Sequence, residues 1–312
     1  KLDSLGLLFL SVASALFLAA AVYAAGYLAQ EGTGPRTDLE AGGRFSNEPE
    51  RVFTACLLFF LATMTFVCVS HRFGLTWVGI EATTLASAPL IYYHRHRRSL
   101  EAVWKYLMIC SVGIALALLG TFFLAVAATG PDGETLPLVL DGLTLAASQL
   151  DPRWLKAAFL FFLVGYGTKA GLVPMHTWLP DAHSESPSVV SALLSGALLN
   201  CALLGVLRLL EVCTAAGLGV WAGGLMRGFG LLSMAVAAGF LLGQPDFKRL
   251  LAYSSVEHMG ILCLGVGLGS AGTFGALLHA VNHSLTKAML FLVSGNILGA
   301  YRSKKVRDVR GL

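Results

Sequence analysis

Residues 154–175 read WLKAAFLFFLVGYGTKAGLVPM, an apolar run long enough to cross a bilayer, with a lysine, Lys169, deep inside it. Gly165, Gly167, Gly171 and Pro174 interrupt what is otherwise a continuous helix. Pro174 has no N–H to donate and leaves a helix carbonyl free. Broken backbone of this kind is tolerated at membrane depth where protein buries it or water lines it, and discontinuous helices mark ion pathways in many transporters. A buried amine beside such a break is a candidate switchable proton site: burial disfavours its charged form, a nearby carboxylate favours it, and moving the carboxylate loads or unloads it. The plainer alternative is a lysine that snorkels or neutralises a fixed acid.

Apolar stretches of the same length recur along almost the whole 312-residue chain, near 4–29, 52–70, 74–93, 104–129, 154–175, 187–210, 218–243, 250–269 and 273–299. The expected fold is therefore an all-α polytopic membrane protein with about nine transmembrane helices, at least one of them discontinuous. Hydrophobic residues make up 56% of the chain and charged residues 13%, about half the charged share of a soluble domain. The balance of 22 basic against 18 acidic residues is too slight for a nucleic-acid binder. Six cysteines lie inside apolar runs with no Cys-x-x-Cys pair, which excludes a disulfide framework and a zinc ribbon. The first stretch is too long for a signal-peptide core and lacks a basic leader, and an opening at Lys1 suggests that residues precede it.

If the spans alternate, Arg36, Arg44, Arg51, Arg95, Arg97, Arg98, Lys105, Lys248, Arg249 and the tail from Arg302 to Arg310 share one face. Lys1, Arg72, Arg153, Lys156, Arg208 and Arg227 fall on the other. By the positive-inside rule the first face is cytoplasmic, which puts residue 1 outside and the basic tail inside. Lys169 and Lys287 belong to neither face. The longer loops, 30–51 and 130–153, are rich in Gly and acids and read as solvent-exposed rather than as folded domains.

Ionisable side chains near the bilayer centre cost at least about 2.5–3.5 kcal/mol and normally face protein or water. Glu81 lies about 10 Å into its span, Glu257 sits in Ser254-Ser255-Val256-Glu257-His258, and Lys287 follows His279 and His283. His279, His283 and Lys287 are spaced i, i+4 and i+8, a ladder of protonatable groups about 6 Å apart in rise on one helix face. Neutral, packed histidines would be the reading for one His alone; two with a Lys on one face favour a relay. Zinc is the weaker reading, because His279-x-x-x-His283 lacks the accompanying Glu. His94 to Arg98 and Arg302 to Arg310 read as topological anchors, with lipid or partner docking second. His176 to Glu185 reads as a polar mouth near the cytoplasmic surface rather than a metal loop. No phosphate loop, nucleophile elbow, or motif for a flavin, iron-sulfur cluster or quinone is present, so no cofactor is expected in this chain.

Lys169-Ala-Gly171-Leu-Val-Pro174-Met-His176-Thr-Trp178-Leu-Pro180-Asp181-Ala-His183, running into Pro187-Ser-Val-Val-Ser191, closely resembles the antiporter-like proton-translocating subunits of respiratory complex I, Mrp-type sodium/proton antiporters and group 4 nickel-iron hydrogenases. Phe247-Lys-Arg-Leu-Leu-Ala-Tyr253-Ser-Ser255 and His279-Ala-Val-Asn-His283-Ser-Leu-Thr-Lys287-Ala-Met-Leu-Phe291 agree with it. Glu81 to Ser87, Glu101 to Tyr106 and Ser255 to Gly260 look most like the hydrogenase-4 component F type. The resemblance implies two inverted five-helix repeats, Lys169 as central lysine on a helix broken at Gly171 and Pro174, and Glu81 as its paired carboxylate. It places His279, His283 and Lys287 on a connecting relay helix, with Lys105 and Glu257 as further relay candidates. Ser195 stands where many relatives carry a histidine, so the link from Lys169 to the middle of the protein is expected through water or Asn200. Ending at Leu312, the chain stops before the second discontinuous helix, and two helices expected ahead of residue 4 are missing. The expected divisions are 1–51, an N-terminal helix and loop; 52–210, the first repeat; and 211–312, an incomplete second repeat.

The resulting expectation is a proton-translocating subunit in a prokaryotic plasma membrane, partnered by other membrane and peripheral subunits of a redox complex. A group 4 hydrogenase or a related NADH/quinone-type oxidoreductase fits best. Moving one charge through 100 mV costs about 2.3 kcal/mol, so transport must couple to an energetic reaction elsewhere. The alternatives are an Mrp-like sodium/proton exchanger and a non-conducting scaffold for a soluble redox arm.

Overall fold

The computed structural model describes residues 2–31, 36–37, 42–130 and 132–311; Lys1, Leu312 and the side chain of Arg36 lie outside the described residues. The chain is an all-α polytopic bundle. Its helices are α1 (Ser4–Glu31), α2 (Glu50–Val69), α3 (Phe73–Ile91), α4 (Arg97–Ala127), the short α5 (Leu140–Leu145) and α6 (Pro152–Ala170). They continue with α7 (Trp178–Glu185), α8 (Ser188–Leu193), α9 (Leu199–Ala215), α10 (Gly219–Leu241), α11 (Phe247–Gly267) and α12 (Ser270–Tyr301). Among the described residues seven segments are long and apolar enough to cross a membrane: α1, α2, α4, α8 running through α9, α10, α11 and α12. The expected count of nine also includes the stretches at 74–93 and 154–175, where the structure has α3 and α6, helices of 19 residues each that are not among these seven.

Local chemistry sets the boundaries. Asp151 opens α6 by accepting from the N–H groups of Arg153 and Trp154, with Pro152 in the first turn where no donor is needed. Asp246 does the same for α11, and His96 and Ser99 form a capping box at α4. α6 stops at Gly171, whose φ of 80° is a left-handed conformation that favours glycine. A Cβ there would also lie 2.6 Å from Leu179 Cδ1. The chain then passes the cis Val173–Pro174 bond and restarts as α7, so the break expected at Gly171 and Pro174 lies between two half-helices.

Loop contacts group the helix ends into two faces. The near face holds the α3–α4 turn, the end of α7 and the end of α12, tied by the Asn47–His94 and Asp246–Lys305 bridges and by Ser184 donating to Asp246. The opposite face holds the end of α2, α5 and the start of α6, tied by Arg72–Val139 and by Asp151 N–H to Ala127 O. Segment 188–215 is buried over its whole apolar window, whereas none of the other six exceeds 50%, so it is the axis around which the bundle closes. It carries a π turn at Leu194–Leu198. Outward apolar side chains such as Leu18, Val22, Phe122 and Phe274 present the surface a lipid environment requires.

Candidate functional site

The α6–α7 break buries Lys169 completely at the end of α6. Its Nζ donates to Thr84 Oγ1 at 2.7 Å and to the Tyr106 hydroxyl at 2.6 Å, and lies 4.6 Å from the Tyr106 ring centre. Thr84 in turn donates to Glu81 Oε2 at 3.4 Å. Glu81 and Lys169, on α3 and α6, are therefore brought together, with Thr84 as the bridge between them. Tyr106 shares a 2.6 Å hydrogen bond with Ser87, whose own hydroxyl donates to Thr83 O. Trp178 braces the second half-helix: its ring lies 4.9 Å from Tyr106 and its Nε1 donates to Thr168 O at 2.9 Å.

On α11 and α12, His258 Nδ1 and His279 Nε2 are 2.9 Å apart, and the His258 and His283 ring centres are 5.1 Å apart. His283 is buried with neither ring nitrogen hydrogen-bonded. Lys287, also buried, donates to Leu251 O at 3.0 Å. Glu257 lies on α11 within electrostatic reach of Lys287. The ladder on α12 thus meets α11 through His258, a residue that the spacing on α12 alone does not point to.

Small polar groups occupy the axis between the clusters. Asn200 Nδ2 donates to Ser284 Oγ at 2.7 Å and to Gly196 O at 3.0 Å, while its Oδ1 is buried without a partner. Ser195, in the π turn, lies 2.8 Å from Ser255 of α11. His183 on α7 is fully buried, stacks on Phe291 at 4.8 Å, and has neither ring nitrogen hydrogen-bonded. Beyond it, Glu185 pairs with Lys304 at 3.0 Å, and the buried Lys248 donates to Ser186 O at 2.6 Å. These residues, with His96, line an open crevice of about 1470 Å³ on the near face; of His176 to Glu185, the segment expected to form a polar mouth, Ser184 and Glu185 line it.

Lys105 is placed elsewhere. It lies near the start of α4, 46% exposed, pairing with Glu101 at 2.7 Å and Asp181 at 2.9 Å, and Asp181 also holds Arg249 at 2.6 Å. This ion-pair cluster ties α4, α7 and α11 together and makes no contact with Lys169. Among the described residues no group of three or more His, Cys, Asp or Glu is arranged to hold a metal ion. What the interior offers chemically is a discontinuous series of groups that can take and give protons, with gaps that water can bridge.

The sequence profile of the NADH:quinone oxidoreductase/Mrp antiporter transmembrane family matches residues 70–312. The chain is 39% identical over 312 residues to the hydrogenase-4 component F homolog of Methylacidiphilum infernorum, covering 99% of this chain and 64% of that protein. It is 31% identical over 326 residues to hydrogenase-4 component B of Escherichia coli, covering 100% and 45% respectively. The chain thus spans less than two thirds of either relative. In fold it matches a chain of an archaeal membrane-bound sulfane sulfur reductase with a TM-score of 0.79 at 19% identity, covering 99% of this chain and 69% of that one.

Proposed function

Because the chain belongs to the NADH:quinone oxidoreductase/Mrp antiporter transmembrane family, we propose that it is the proton-translocating part of a membrane subunit in a redox-driven complex of the hydrogenase-4 type. The observation that carries this reading is Lys169, fully buried at a broken helix, held by two hydroxyls and joined to Glu81 through Thr84. A scaffold has no reason to bury a cation in this way. Protons enter from the near-face crevice, Lys169 is loaded and unloaded as the Glu81 charge is felt more or less strongly through Thr84, and Asn200 and water pass the proton toward His283 and Lys287. His279, Glu257, His183 and His258 border that route.

In this reading residues 52–210 form the first inverted repeat and 211–312 belong to the second. The membrane is a prokaryotic plasma membrane, with the near face cytoplasmic and residue 1 outside. The driving reaction belongs to peripheral and membrane partners that transfer electrons, as the names of the hydrogenase-4 relatives suggest.

The test is Lys169→Met in the full-length subunit within its complex, followed in vesicles by proton movement and electron transfer together. The expected result is a loss of coupled proton movement with electron transfer still measurable. Unchanged pumping in the assembled variant overturns the assignment, and sodium-dependent transport in place of redox-coupled proton movement makes the exchanger the better reading.

A further inference from the structure

Arg208 lies two turns beyond Asn200 on α9, about 12 Å along the axis toward the opposite face, and is 2% exposed. Its guanidinium closes the end of α2, donating to Val67 O at 3.1 Å, to Cys68 O at 2.8 Å and to Ser70 O. It also pairs with Asp3, just ahead of α1, at 3.1 Å. α1 comes this close because Gly6 has no side chain: a Cβ there would lie 2.5 Å from Cys68 O and 3.0 Å from Arg208 Nη2. On the outer side of the guanidinium, His71 stands 3.5 Å from Asp3 and 3.9 Å from Asp141, and Glu211 follows one turn later on α9. On its inner side, Gly205 is packed against Tyr166 and Ile80. Both are buried, and the Tyr166 hydroxyl has no hydrogen-bond partner. Tyr166 is one turn from Lys169 on α6, so the order along the bundle is Lys169, a buried layer of Tyr166 and Ile80, Arg208, and then a fringe of acids and an imidazole.

A neutral amide could satisfy carbonyls at a helix end with far less desolvation than a buried guanidinium, so the charge itself asks for a reason. We propose that Arg208 is the closure of the opposite face: a fixed positive charge, locked across the end of α2, that keeps protons from passing between Lys169 and the acidic fringe at Asp3 and Asp141. Fixed arginines in narrow pores exclude protons and cations by the same repulsion, which is strong where water cannot screen it. The inference rests on Lys169 carrying protons.

The experiment uses the full-length subunit in its complex, reconstituted in vesicles without electron donor, with an imposed pH gradient whose decay is followed by an internal dye. Arg208→Gln is expected to speed the decay at least several-fold over the parent. Arg208→Lys, which keeps the charge, is expected to stay near the parent. The double variant Arg208→Gln with Lys169→Met is expected to return to the parental rate, because the leak runs through Lys169. A tight Arg208→Gln, a Lys variant that leaks as fast as the Gln variant, or a double variant that still leaks each overturns the proposal. If the Gln variant does not assemble, Arg208→Met, which keeps the apolar stem, is held to the same criteria. Failure of the transport reading shows separately, as undiminished redox-driven pumping by Lys169→Met alone.

Discussion

Lys169 has its charge balanced at one remove, because the Thr84 hydroxyl stands between its ammonium and the Glu81 carboxylate. Glu81→Gln changes only the charge that biases the lysine, so coupled proton movement is expected to fall by less than in Lys169→Met; full coupling in the assembled variant rules out the pairing. Thr84→Val removes the bridge while nearly conserving volume. A hydrogen bond to a charged group contributes about 1.5–3 kcal/mol, so a loss of roughly tenfold or more in proton-transfer rate is expected, measured against unchanged electron transfer. The two ionisable groups were legible because charge inside an apolar run is costly and therefore conspicuous. Thr84, Tyr106 and Ser87 were not, since hydroxyls are common in membrane helices and usually bond their own helix carbonyls, as Thr121 and Ser284 do here. Lys105 illustrates the converse: local sequence offers Glu101 one turn away, but Asp181, which fixes its place in an exposed ion-pair cluster, comes from a helix 76 residues later.

At the scale of elements, the break between α6 and α7 controls where Trp178 meets Thr168 and Tyr106. Gly171→Ala forces a side chain into left-handed backbone, costing about 1–2 kcal/mol, and drives its Cβ toward Leu179. The expected outcome is a lower thermal midpoint for the purified complex and weaker coupling as α7 is displaced; an unchanged midpoint with full coupling shows that α7 is held by other contacts. Glycine and proline announce this break directly in the sequence. The π turn at 194–198 has no such marker, because one extra residue per turn can be absorbed by any buried apolar helix. The contact within it, Ser195 facing Ser255, is visible only in three dimensions.

At the scale of the whole molecule, the axis between the two clusters carries one polar step, where Asn200 of α9 reaches Ser284 of α12. Asn200→Leu keeps the size and removes the polar step. Proton movement per electron is expected to drop while the complex stays assembled and each cluster stays intact, as read by pumping stoichiometry; an unchanged ratio means the route bypasses Asn200. The arrangement of long apolar stretches foretold a polytopic all-α bundle because bilayer thickness dictates helix length. Which stretch would be the axis was not foretold, since 188–215 is no more apolar than α1 or α2 and differs only in being enclosed.

That enclosure bears on how the protein is made. Helices leave the ribosome in order, so the 188–215 segment enters the membrane when α1 to α7 have already been synthesised and α12 has not. The partners of Arg208, Asp3 and the end of α2, are waiting for it, and that half of the helix can settle as soon as it is inserted. The half bearing Asn200 lacks its Ser284 partner until α12 is translated some eighty residues later. The order of synthesis thus makes the contacts of the opposite face available before the polar contact at the axis.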